Sequence, residues 1–218
     1  NVQSSQKLED RHVQSLLDFG DGSVPGLNVA TFEARQTALT IGIRGIVPLD
    51  ANQPAREAGV GVYVDGVYLG RQHGLNAALL DAERIEVLRG PQGTLFGRNT
   101  IGGLVHVIRS KPTGELGGKV NVLISEDDQQ DFKGMINFPA IFGGTLATKV
   151  SAMDLSGGGY FYNPTRNSSE GDADVQAWSA SALWNPNDNF QAHLIYDDID
   201  DETNARPTTC FNGAGELF

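Results

Sequence analysis

The sequence predicts an α+β unit over residues 1–115, followed by antiparallel transmembrane β-barrel strands over residues 116–218. Three observations carry this prediction. Short Val- and Ile-rich runs separated by glycine-rich polar loops fill the first part. Segments of about ten residues alternating apolar and polar fill the second, which is the pattern of strands with one apolar face. Apart from a short first link near Asp127, short connectors fall at one end of those segments and long polar ones at the other.

Composition narrows the function classes. Lys+Arg 16 against Asp+Glu 27 gives a formal net charge of −11, so no nucleic-acid partner is expected, because neutralising phosphates needs a basic face. The 27 glycines exceed the usual ~7% and favour strands and turns over helices. Cys210 has no second cysteine to pair with inside the chain. No run approaches the ~18 apolar residues of a membrane-spanning helix, a criterion that β-barrel strands escape. Asn1 is not an initiator Met and no signal segment follows it, so the start is expected to have been processed or cut away.

In the first part, Leu8, Val13, Leu16 and Leu17 have roughly helical spacing, which predicts a short amphipathic helix over 8–18. Gly20, Gly22, Pro25 and Gly26 then break it. Strands are expected at 37–45, 59–69, 82–90 and 102–111, with a helical turn in "NAALLDA" between the second and third. Asp65-Gly66 between apolar runs reads as a tight hairpin turn.

In the second part, the alternating segments are 117–126, 131–140, 145–155, 174–185 and 190–200. Val120, Val122 and Ile124 share one face of the first, with Lys119, Asn121 and Ser125 on the other. In the third, Leu146, Val150 and Ala152 oppose Thr145, Lys149 and Ser151. In the last, Phe190, Ala192, Leu194 and Tyr196 oppose Gln191, His193 and Asp197. A soluble sandwich has the same alternation, so the connectors matter. "AIFGG" and "PNDN" are short, whereas "SGGGYFYNPTRNSSEGDA" and the tail from Asp201 are long, as in outer-membrane barrels. Trp178 and Trp184 lie near opposite ends of one strand, where interface girdles or ordinary core aromatics both fit.

The stretch "ERIEVLRGPQGTLFGRNTIGG", Glu83 to Gly103, raises the question of a phosphate loop. A Walker-type loop needs Lys and Ser/Thr after its second glycine, and "GRNTIGGL" has neither there. The dinucleotide fingerprint is also unmatched, and a strand rather than a helix resumes at Leu104. No GxSxG motif or paired Cys/His arrangement supports nucleophilic catalysis, so no enzyme is expected. His12, His73, His106 and His193 lack metal-ligand spacing, and no cofactor is expected. "YDDIDDE" (196–202) lacks the EF-hand glycine and reads as a solvated acidic loop.

Extended to "GLVHVIRSKP", the same stretch closely resembles the end of the plug domain of TonB-dependent outer-membrane receptors. "VPGLNV" (24–29), "IGIRG" (41–45) and "VYVDGV" (62–67) stand in the family's order, and the resemblance runs from about Leu8 to Pro112. It implies a plug over 1–115 inside a barrel of roughly 22 strands, of which 116–218 supplies the first few. It also implies an outer-membrane location in a Gram-negative bacterium, contact with lipid, and TonB as energising partner. The implied cargo is a scarce nutrient, a ferric siderophore first, with oligosaccharide or cobalamin as the alternative. A structural or adhesive β-protein explains the strands but not the plug motifs. The TonB-gripping motif is not evident before Leu8.

Residue roles follow from the same resemblance. Arg44 and Arg89, expected to leave adjacent plug strands, match arginines that pair with barrel-wall glutamates and latch plug to wall. The loops after "IRG" and "VDGV" match outward-facing apices that meet cargo. Their candidates are Gln53 and Arg56 in the first, Tyr68, Arg71, Gln72 and His73 in the second, and Arg35 from the preceding loop. An extracellular partner for Cys210 in further sequence fits this layout.

Overall fold

The computed structural model describes residues 1–203 except 14, 33–34, 48–56, 71–78, 126–128, 160 and 164–166; the side chains of 32, 35–37 and 173 also lie outside the description. The chain opens with strand β1 (Val2–Ser4) and helix α1 (Ser5–Asp10). The helix expected over 8–18 is corrected. His12 takes a left-handed φ of 51° and ends α1, and a 3₁₀ helix (Leu16–Asp21) starts afresh. Ser15 and Asp18 form a capping box at that restart, with the Ser15 N–H donating to Asp18 at 2.8 Å. Leu16 and Phe19, three residues apart, are thereby buried together.

Strands β2 (Leu27–Phe32) and β3 (Arg35–Ile43) pair antiparallel as one two-stranded sheet. Next come β4 (Val60–Val64), β5 (Val67–Tyr68), β6 (Ala82–Arg89), the single-turn helix α2 (Gly93–Phe96) and β7 (Gly103–Arg109). They join β1 in a sheet of order β1-β6-β7-β4-β5, where β4 and β7 run parallel and the remaining neighbours antiparallel. Asp65 and Gly66 link β4 to β5 with φ of 48° and 84°, the two-residue turn the sequence predicts. "NAALLDA" lies largely outside the described residues. The core lies where Leu27, Leu39, Ile41 and Ile43 meet Ile85, Val87, Val105 and Val107, all buried.

The second part is a different sheet. Strands β8 (Gly117–Ile124), β9 (Gln130–Ile141), β10 (Leu146–Gly157), β13 (Ala173–Asn187) and β14 (Phe190–Asp201) pair antiparallel in the order β14-β13-β10-β9-β8. The long connection after β10 carries its own hairpin, β11 (Phe161–Asn163) with β12 (Ser168–Glu170). All five expected segments contain strands, and β9 and β10 reach 12 residues, beyond the ~9–11 that a tilted strand needs to cross a bilayer. Alternation splits their faces as read. Val122 is 61% exposed and Leu194 72%, while Lys149 and Ser151 on the opposite face are buried. The sheet is open, with β8 and β14 at its edges. "YDDIDD" is the end of strand β14 and not a loop, so its acidic side chains are fixed by strand register.

Candidate functional site

The glycine-rich stretch folds back on itself between β6 and β7. Gly90 N–H donates to Gly102 at 2.9 Å, Gln92 N–H to Thr100 at 3.0 Å, Phe96 N–H to Gln92 at 3.0 Å and Gly97 N–H to Gly93 at 3.0 Å. These donors are spent on backbone carbonyls, so they form no cradle for a phosphate. Gly103 has the strictest demand for glycine. A Cβ there, at φ 141°, lies 2.2 Å from the Leu88 carbonyl oxygen. The glycines are therefore a packing device where β7 starts against β6.

Arg44 and Arg89 come together, but not from adjacent strands. Strand β3 pairs with β2 in one sheet and β6 with β1 and β7 in another. The turn at Pro25-Gly26 brings their ends together. Arg44 follows β3 in a left-handed conformation (φ 54°), and its backbone N–H donates to Gly26 at 3.0 Å. Arg89 ends β6, and its Nη1 donates to the Pro25 carbonyl at 3.1 Å. Arg44 Nη1 lies 3.3 Å from where a Cβ on Gly90 would be, so glycine leaves room for the guanidinium. Both arginines are exposed, and among the described residues neither pairs with a carboxylate.

Tyr68 is half-buried in an aromatic cluster. Its ring lies 5.4 Å from that of Tyr63, and its hydroxyl accepts from Asn99 Nδ2 at 2.9 Å. The Tyr63 hydroxyl donates to the Phe96 carbonyl at 2.8 Å, and burial raises its pKa. His106 stacks edge-on against Tyr63 and Phe96. Its Nε2 accepts the Gly66 N–H at 3.0 Å, which requires the neutral ring. Burial pushes its pKa below the ordinary 6.5, and Arg84 adds to this, against the opposing pull of Glu86 and Asp65. Gln53, Arg56, Arg71, Gln72 and His73 lie outside the described residues; Arg35 is placed by backbone alone, at the first position of β3.

A third constellation, not assigned from the sequence, joins the first unit to the second sheet. The side chain of Lys149, on the inward face of β10, is 4% exposed. Its Nζ donates to the Asp81 carboxylate, to the Ser110 carbonyl and, at 2.9 Å, to Ser110 Oγ. Ser110 Oγ donates to the other Asp81 oxygen at 2.8 Å, and Ser151 Oγ approaches Asp81 at 3.3 Å. One residue earlier, Arg109 Nε donates to Asp65 at 2.6 Å and its Nη1 to Asp197 of β14 at 2.6 Å. Burial works against the Arg109 charge, but the hydrogen bonds to Asp197 and Asp65 outweigh it and raise its pKa. The signal available in the sequence was weak: a lone Lys on the polar side of an alternating segment.

Residues 1–104 match the family described as the TonB-dependent Receptor Plug Domain, and this part of the chain is such a plug domain, followed by antiparallel strands of the receptor-barrel type. The chain is 31% identical over 149 residues to the pesticin receptor of Yersinia pestis, covering 67% of this chain and 21% of the relative. It is 30% identical over 136 residues to the vitamin B12 transporter BtuB of Vibrio vulnificus, covering 60% of this chain and 20% of the relative. Among solved structures, the ferric yersiniabactin uptake receptor FyuA from Yersinia pestis matches with a TM-score of 0.80 at 26% identity, over 91% of this chain and 31% of that one. The pyoverdine outer membrane receptor FpvA from Pseudomonas aeruginosa matches in fold alone, with a TM-score of 0.73 at 17% identity, over 100% of this chain and 30% of that one. The chain thus spans about a fifth of the length of the curated relatives it matches. By name those relatives are receptors and a transporter, not enzymes.

Proposed function

We propose that this chain is part of an outer-membrane receptor that imports a scarce nutrient, most often a ferric siderophore, under the drive of TonB. The observation that carries the reading is the junction itself: a plug domain leads directly into antiparallel strands whose outward face is apolar. Water makes such a face costly, and lipid makes it favourable. On this reading the plug occupies 1–115 and the first part of the barrel 116–218, in the outer membrane of a Gram-negative bacterium.

The siderophore assignment draws on the relative named as the ferrioxamine B receptor and on the ferric yersiniabactin uptake receptor. A cobalamin cargo is favoured by the BtuB relative. Arg44 and Arg89 are proposed as the plug side of a latch, because two cations leave one turn with their side chains exposed. Arg35, Gln53, Arg56, Tyr68, Arg71, Gln72 and His73 are proposed to meet the cargo. Tyr68 does so through the face of a ring already held by Tyr63 and Asn99.

The test is growth of a receptor-deficient Gram-negative strain carrying the full-length gene. One arm is iron-limited with a panel of ferric siderophores, and the other depends on external cobalamin. Rescue by one ferric siderophore supports the main reading, rescue by cobalamin alone selects the alternative, and rescue in neither arm counts against both.

A further inference from the structure

Two charged groups lie at opposite ends of the β6–β7 strand pair, and one of them touches the wall. Register places Ala82 opposite Arg109 at one end and Arg89 opposite Gly103 at the other. The seven-residue offset from Ala82 to Arg89 separates them by roughly 23 Å. The Arg89 end carries the converging arginines, which among the described residues meet no carboxylate. The Arg109 end is already closed by charge pairs to β10 and β14.

That closed end is densely built. The Asp81 carboxylate is presented from a left-handed turn (φ 58°) and accepts on both oxygens, from Ser110 on one and from Lys149 and Ser151 on the other. The wall around Lys149 is small and polar: Ser181 sits opposite it on β13, and Ser151 faces Ser179. The space left among these groups is about 10 Å³, at the lower limit for a single water. On this side Lys149 has room for at most one water, whereas a cavity of about 340 Å³ opens on the other side of Asp81 and Ser110. Removing one partner while the site stays closed leaves a buried charge unpaired, a far larger penalty than losing a surface ion pair. Arg109 adds a second tie, bridging the β4–β5 hairpin through Asp65 to the wall through Asp197.

We propose that Lys149–Asp81–Ser110 together with Arg109–Asp197 forms a fixed anchor of plug to wall, separate from the Arg44/Arg89 site and able to hold independently of it. This rests on the reading of the chain as a plug seated in a barrel. The backbone reinforces it: Ala140 N–H of the wall donates to Gly114 at 2.7 Å, and Thr113 N–H to Asn137 Oδ1 at 3.1 Å, just beyond the anchor.

Hydrogen exchange on the full-length receptor in detergent tests the proposal, with peptides covering 79–84 and 105–112 for the anchor and 24–30 and 86–92 for the arginine end. Heat-modifiable gel mobility is the control for a folded barrel; if it fails in the wild-type receptor, the underlying barrel reading is at fault and not the anchor. Lys149→Met and Asp81→Asn should each speed exchange in the anchor peptides at least ~10-fold. The double variant should be no worse than the worse single one. Arg44→Ala should speed exchange in the arginine-end peptides and leave the anchor peptides unchanged. Anchor peptides unmoved by Lys149→Met, or all four peptides moving together in every variant, would overturn the proposal.

Discussion

Arg44 and Arg89 are held by consecutive carbonyls of one turn: the Arg44 backbone N–H donates to Gly26 at 3.0 Å and Arg89 Nη1 donates to Pro25 at 3.1 Å. The two arginines thus leave one turn with exposed side chains, and the carbonyl that holds the Arg89 guanidinium does not neutralise its charge. Such an arrangement is stable when carboxylates from elsewhere meet it. In the full-length receptor, Arg44→Ala or Arg89→Ala is expected to loosen the plug while the barrel stays folded. The cost is on the order of 3–5 kcal/mol if the partner carboxylates are fully buried, and less if water enters. Limited proteolysis reads this as faster plug cleavage, and cleavage at the wild-type rate in both variants would mean the arginines are ordinary surface charges.

Gly103 offers a sharper test of the glycine-rich stretch. A Cβ at that position lies 2.2 Å from the Leu88 carbonyl oxygen and 3.0 Å from Ile43 Cδ1, and the φ of 141° disfavours any other residue. The clash is with backbone, so no rotamer relieves it. Gly103→Ala is expected to destabilise the plug by about 3 kcal/mol. Protease protection of the plug in the purified receptor should fall accordingly. An unchanged protease pattern would mean that the start of β7 is not packed against Leu88 as described.

His106 sets a pH dependence whose sign is fixed by its role as acceptor. The folded plug favours the neutral ring, with burial first among the causes, so its pKa in the fold lies below the ordinary 6.5. The unfolded chain then binds the proton more readily, and stability is fully present above about 6.5 and falls as pH drops through the window below it. Protonation also turns Nε2 into a donor and breaks the bond from Gly66, worth about 1 kcal/mol. The Gly66 amide should lose protection below pH 6.5, after correction for intrinsic exchange, and His106→Gln should flatten that dependence. A pH-independent Gly66 amide in the wild-type receptor would contradict it.

Much of the fold was legible because it is written in local patterns. Val120, Val122 and Ile124 alternate with polar residues, and that period alone defines β8 and its outward face. Asp65-Gly66 named its own turn, since few dipeptides tolerate two positive φ values. The 3₁₀ helix was misread because Leu8, Val13 and Leu16 mimic one helical face, while the restart signal, Ser15 with Asp18 three residues on, is shorter than a helix period. Strand β2 passed unassigned because "LNVATF" is a strand chiefly through its pairing with β3. The site divides along the same line. The arginine pair came from motif resemblance, and its convergence depends on a turn that no spacing reveals. Lys149 and Asp81 are 68 residues apart, and their contact exists only once plug and wall are assembled. No local pattern could have announced it.

Energised import by the full-length receptor is where the functional reading stands or falls. Cells lacking their own receptors, with and without TonB, take up a radiolabelled ferric siderophore identified by growth rescue. The reading predicts accumulation against a gradient that disappears without TonB or after collapse of the proton gradient, while surface binding of the siderophore persists. Uptake that is equal with and without TonB would contradict it.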